Sequence, residues 1–138
     1  MKRGASLVLT ELVIMLLVFA LASAFCVQAF VWADSSSRQS AAADMALIQA
    51  QNAAELLKHY HGDFSPAVRD YGGQWDGTVW TVSYDENWNM TADNPVYFLQ
   101  AERAACKTAY LGQAKLTVLD QEGTVLAELS VCWQEVAP

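Results

Sequence analysis

Three hydrophobic periods succeed one another along this chain, and each predicts a different element. From Leu7 to Ala33 the residues are apolar almost without interruption, with Lys2 and Arg3 before the run and Asp34 after it. Leu12 to Trp32 is 21 residues without a formal charge, which at the helical rise covers about 31 Å, the thickness of a bilayer core. A second period follows. Ala43, Ala46, Ala50, Ala53, Leu57 and Tyr60 recur at steps of three and four, with Leu47 and Ala54 widening the stripe and Gln, Asn, Glu and Lys on much of the other face. That is the signature of an amphipathic helix. Gly62, with Lys58, His59 and His61 in the last turn, predicts its end.

No proline precedes Pro66 and no glycine lies between Gly4 and Gly62, so the two patterns join into one helix of 50 or more residues, on the order of 80 Å. The Ser35–Ser37 cluster is where such a helix would bend or loosen. The third period is two. Residues 62–77, rich in Gly, Asp and Pro, read as a loop, and strands are predicted at 78–85, 96–105, 114–120 and 124–135, with Gln121-Glu122-Gly123 as a tight link. In the last strand Val125, Ala127, Leu129, Val131 and Trp133 share one face, and Leu126, Glu128, Ser130 and Cys132 the other. The apolar face should cover the helix stripe. The expected fold is α+β, a long N-terminal helix, half transmembrane and half amphipathic, packed on a small antiparallel sheet of about four strands. Four segments follow: a basic leader at 1–6, a transmembrane half at 7–33, an amphipathic extension at 34–61 and a sheet head at 62–138.

Charge sharpens the division. After residue 33 there are 14 carboxylates and six Lys or Arg, a net of 6 − 14 = −8, which does not suit nucleic acid or adhesion to anionic lipid. The basic pair before the apolar run places the N-terminus in the cytoplasm and the head outside it. A secretory signal is the competing reading, with Ala22-Ser23-Ala24 as its cleavage site, but the run continues through Phe25-Cys26-Val27 and Ala29-Phe30-Val31-Trp32.

Glu11 is the chemically odd residue, since an unpaired carboxylate deep in lipid costs roughly 2–3 kcal/mol or more. A partner amine would offset that cost, and so would a position close enough to the interface to reach water. The remaining candidates are weaker. Cys26 reads as a small hydrophobe in the apolar helix. In a simple meander Cys106 and Cys132 end the second and fourth strands with the third between them. That separation is about 9–10 Å, beyond the reach of about 7 Å for a disulfide, so a Cys106–Cys132 bridge requires another strand order or a folded-back Cys106. His59 and His61, two apart, point in different directions and do not share a metal. Asp63, Asp70, Asp76, Asp85, Glu86 and Asp93 fall in loops without the spacing of a calcium loop. Trp32 is placed to anchor at the membrane interface, and Trp75, Trp80, Trp88 and Trp133 to pack in the head. No Ser-His-Asp setting, Walker motif, C-x-x-C pair or H-E-x-x-H helix occurs, so neither an enzyme nor a cofactor is expected.

The basic leader, the Thr10-Glu11-Leu12 context, the apolar run and the small head together resemble the type IV pilin-like family. That family includes the pseudopilins of type II secretion and the competence-type pilins of Gram-positive bacteria. Its leader usually ends in Gly followed by Phe-Thr-Leu-x-Glu, with glutamate fifth in the mature chain. Here Gly4 is followed by Ala5-Ser6-Leu7-Val8-Leu9-Thr10-Glu11, so Glu11 is seventh after Gly4, and fifth only if the mature chain begins at Leu7. The resemblance implies a peptidase site among Gly4, Ala5, Ser6 and Leu7 and an assembly role for Glu11. It also implies a prepilin peptidase, other pilin-like subunits and the membrane as partners. Small residues at Ala20, Ala22, Ser23 and Ala24 would allow close helix contact. The alternatives are a single-pass membrane-anchored extracytoplasmic binding domain that does not polymerise, and a secreted domain released from its signal.

Overall fold

The computed structural model describes residues 2–135; Met1 of the leader and the last three residues of the head lie outside the described residues. The first element is α1, Lys2–His59. Residues 1–40 and 41–138 form two separate units. In the first, the described residues are helical throughout, the Ser35–Ser37 cluster included. The expected loosening there is absent, and Asp34 and Arg38, four apart, form an ion pair of 3.1 Å across the three serines.

The second unit begins in α1 and holds the core. Ala46, Ala50, Ala53 and Leu57 are fully buried, and Ala54 nearly so, in one cluster with the sheet residues Trp80, Val82, Tyr84, Leu99, Ala101, Ala114, Leu116 and Val118. Alanine at these positions leaves little side chain between helix and sheet, so the backbones approach closely. Leu47 corrects the expected stripe: it flanks the buried line and remains 38% exposed. The helix ends as a Schellman motif, with Gly62 N–H donating to Leu57 O (2.8 Å) and His61 N–H to Lys58 O (3.2 Å). The left-handed residue that starts the stop is His61 (φ 48°), followed by Gly62 (φ 77°).

Residues 62–77 are not simply a loop. Asp63 caps a short helix α2, Phe64–Tyr71, by accepting from Ser65 N–H at 3.0 Å, and α2 buries Phe64 and Ala67. A two-residue strand β1, Gln74–Trp75, follows. Then come β2 (Val79–Tyr84), β3 (Tyr97–Ala104), β4 (Leu111–Asp120) and β5 (Val125–Gln134). The sheet therefore has five strands where four were expected, all antiparallel and ordered β1-β2-β3-β4-β5.

Register explains which face is buried. Trp80 lies opposite Ala101, Ala101 opposite Leu116, and Leu116 opposite Leu129, so one apolar row crosses the sheet beneath the helix. The simple alternation expected for β5 fails at its start. Val118 pairs with Ala127 but Leu119 with Val125, which leaves Leu126 as an extra, bulged residue. Val125 thereby leaves the core face and is 52% exposed, while Leu126 packs against the core. One inserted residue reverses the faces before it.

Two glycines make room for Trp133. A Cβ on Gly62 would lie 2.1 Å from the Trp133 ring, and one on Gly112 in β4 would lie 2.2 Å from its Nε1. The indole is thus held in a slot that joins the end of α1 to the far end of the sheet.

Candidate functional site

Gly4, Ala5, Ser6, Leu7 and Glu11 all lie in α1 and are all exposed. Leu7 and Glu11 are four apart and share one helix face. The hydroxyls near them are satisfied locally: Thr10 Oγ1 donates to Ser6 O at 2.8 Å, and farther along Ser23 Oγ donates to Phe19 O at 2.8 Å. This back-bonding lets a hydroxyl sit on an apolar helix without an outside partner. Glu11 differs. Among the described residues it has no hydrogen bond and no ion pair.

What surrounds Glu11 is chemically uniform. Seventeen large apolar side chains between Leu7 and Trp32 are each 52–77% exposed. They occur on every side of the helix, and the most apolar 18-residue window of α1 is wholly unburied. Soluble monomers rarely expose contiguous apolar patches beyond a few hundred Å². Among the described residues one helix is long and apolar enough, by length and composition, to cross a membrane.

The head holds its polar groups differently. Tyr71 Oη donates to Gln49 Oε1 (2.7 Å) and lies 3.0 Å from Tyr84 Oη, a partly buried chain linking α1, α2 and β2. Burial pushes the Tyr71 and Tyr84 phenols up from their usual range. At the surface Tyr60 hydrogen-bonds Asp70, and Arg69 Nε donates to Asp70 at 3.0 Å. These two bonds hold the Asp70 carboxyl below the ordinary range.

Two of the loop carboxylates, Asp76 and Asp85, have defined local work. Asp76 accepts from Val79 N–H (2.8 Å), Thr78 Oγ1 (2.7 Å) and Thr78 N–H (2.7 Å). Asp85 accepts from Asn89 N–H (2.9 Å) and Asn87 N–H (2.8 Å). Backbone donors keep both carboxyls low. Among the described residues no three His, Cys, Asp or Glu side chains stand close enough to hold a metal.

Of the tryptophans, Trp80 and Trp133 are core, Trp75 stacks on Phe64 (4.4 Å) and Trp88 on Tyr97 (4.1 Å). Cys106 and Cys132 are free thiols. The strand order is the simple meander, with Ala104 opposite Gln113 and Gln113 opposite Cys132, so β4 stands between them and no Cys106–Cys132 disulfide forms. Comparison with known protein families, with curated proteins and with solved structures finds no match to this chain.

Proposed function

We propose that this chain is a pilin-like structural subunit that polymerises through its apolar helix and presents its sheet head outside the cytoplasm. The observation that carries the reading is the combination of an all-round exposed apolar surface from Leu7 to Trp32 with one unpaired carboxylate, Glu11, near its start. A lone membrane anchor needs the first feature only. In an assembly of parallel helices the carboxylate gains a function: pairing with the new N-terminal amine of a neighbour offsets its cost in lipid and fixes the register. Lys2 and Arg3 keep the N-terminal end cytoplasmic. The residues Ala20, Ala22, Ser23 and Ala24 let neighbouring helices approach.

On this reading a prepilin peptidase trims the leader within Gly4–Leu7, and the work of the protein is mechanical, not catalytic. The test is crosslinking of a Thr10→Cys variant, with Cys26, Cys106 and Cys132 replaced by alanine, in native membranes. An ordered ladder of oligomers is expected. Adding Glu11→Ala should remove the ladder while the chain stays in the membrane fraction. A ladder that survives Glu11→Ala removes the role of the carboxylate. Monomer alone, with the chain still in the membrane, favours an anchored binding domain.

A further inference from the structure

The two edges of the sheet are unlike. On one side β1 covers only Trp80 and Thr81 of β2. The rest of that edge is occupied by the bridge of Tyr84 to Met90 and by Thr91 N–H donating to Ser83 O at 3.0 Å. The other edge is β5, ten residues long, with β4 as its one strand neighbour among the described residues.

Which backbone groups face outward from β5 follows from one hydrogen bond. Glu135 N–H donates to Tyr110 O at 2.9 Å, so odd-numbered residues of this strand direct their N–H and C=O towards β4. In an antiparallel ladder the alternate residues direct theirs away. Glu128, Ser130, Cys132 and Gln134 therefore present a row of outward donors and acceptors. The bulge at Leu126 confines the regular row to residues 128–134. Edges of this kind are ordinarily blunted by proline, lysine or an inward-pointing charge. β5 has none of these: its one charged residue, Glu128, lies on the outer face, paired with Lys115 at 3.2 Å.

A second feature points the same way. Ala127, Leu129 and Val131 are only half-buried, although the residues opposite them on β4, Val118, Leu116 and Ala114, are fully buried. The apolar layer runs off the sheet at β5, where one more strand would continue it.

We propose that β5 accepts an extended segment of a different protein as a sixth strand, and that this segment alternates apolar residues with Lys or Arg. The backbone row supplies the pairing, and the apolar residues extend the row of Leu129 and Val131. The basic side chains answer the head's charge: residues 41–138 carry 5 Lys or Arg and 13 Asp or Glu, a net of 5 − 13 = −8. A second copy fits poorly. Its opposite edge is already blocked, and β5-to-β5 pairing would bring two strongly acidic heads together.

The test is amide hydrogen exchange on the full-length chain in detergent, with an acetylated and amidated (Val-Lys)4 peptide as probe. Protection should rise about tenfold or more at the Glu128, Ser130, Cys132 and Gln134 amides and not at their odd-numbered neighbours. Ser130→Pro removes one outward N–H without touching the β4 ladder, so it should weaken the peptide about tenfold and leave the near-ultraviolet circular dichroism unchanged. A peptide N-methylated at every residue, which lacks the N–H groups facing β5 whichever way the strand runs, should fail on the unaltered chain, which keeps the test sound if the proline variant unfolds. Equal binding of (Val-Asp)4 overturns the basic specificity. Protection of these amides without peptide, growing with protein concentration, assigns the edge to a second copy and overturns the proposal, as does binding indifferent to N-methylation.

This edge is independent of the filament reading. The exchange pattern concerns the head alone and the crosslinking ladder concerns the apolar helix, so either can fail without the other.

Discussion

The two ends of α1 use alanine in opposite surroundings. Around residues 46–57 the alanines are buried and the sheet covers them. Around residues 20–24 Ala20, Ala22 and Ala24 are exposed among exposed leucines and phenylalanines. The first stretch is covered and the second is bare. Water makes the difference legible. The head helix shows polar residues on the side that faces solvent, whereas residues 7–32 are apolar on every side, a surface that lipid would accept and water would not.

The largest effect is expected in the core of the head. Trp80, fully buried, donates Nε1–H to Gly72 O at 2.9 Å and packs edge-on against Phe64 and Tyr71. Trp80→Ala should cost about 3–5 kcal/mol of head stability, read by denaturant unfolding in detergent. Phe19→Ala, in the exposed half, should leave that transition within about 0.5 kcal/mol. The alanine contrast comes next. Ala53→Leu should destabilise the head by about 1–3 kcal/mol through overpacking, while Ala22→Leu should leave head unfolding unchanged and weaken any helix-to-helix crosslinking. Equal effects of the two alanine changes on head unfolding would erase the distinction. A smaller effect is expected at Asp63→Ala, which removes the α2 cap and should cost about 1 kcal/mol.

Acid titration gives the smallest and broadest effect. Asp70, Asp76 and Asp85 have lowered carboxyl pKa values in the fold. Each therefore binds its proton more readily when unfolded. Their stabilisation is fully present above the ordinary carboxylate pKa of about 3.9 and is lost as pH falls through their lower folded values. Asp85→Asn should flatten the acid limb of the stability profile, measured by thermal unfolding from neutral pH downwards.

Period-based reading found α1, its buried stripe and the four longer strands because each rests on a repeated spacing over many residues. It missed what rests on single residues. The Gly, Asp and Pro content of residues 62–77 concealed α2, although Asp63 as cap, Pro66 in the first turn and the apolar set Phe64, Ala67, Val68 and Tyr71 were its signal. The β5 bulge leaves no mark on composition, because one inserted residue changes only the pairing with β4. The slot for Trp133 joins Gly62 and Gly112, which are distant in sequence. Glu11 stood out by its chemistry alone, but the group proposed to pair with it belongs to another molecule, so one chain holds half of that site. The open edge of β5 required knowledge of strand order, which alternation does not supply.

Mass spectrometry of the mature protein from native membranes separates a retained apolar helix from a discarded export signal. The expected mature chain begins at Ala5 or Leu7, with Glu11 and the whole apolar stretch to Trp32 retained. A soluble mature chain beginning at Phe25 would contradict it.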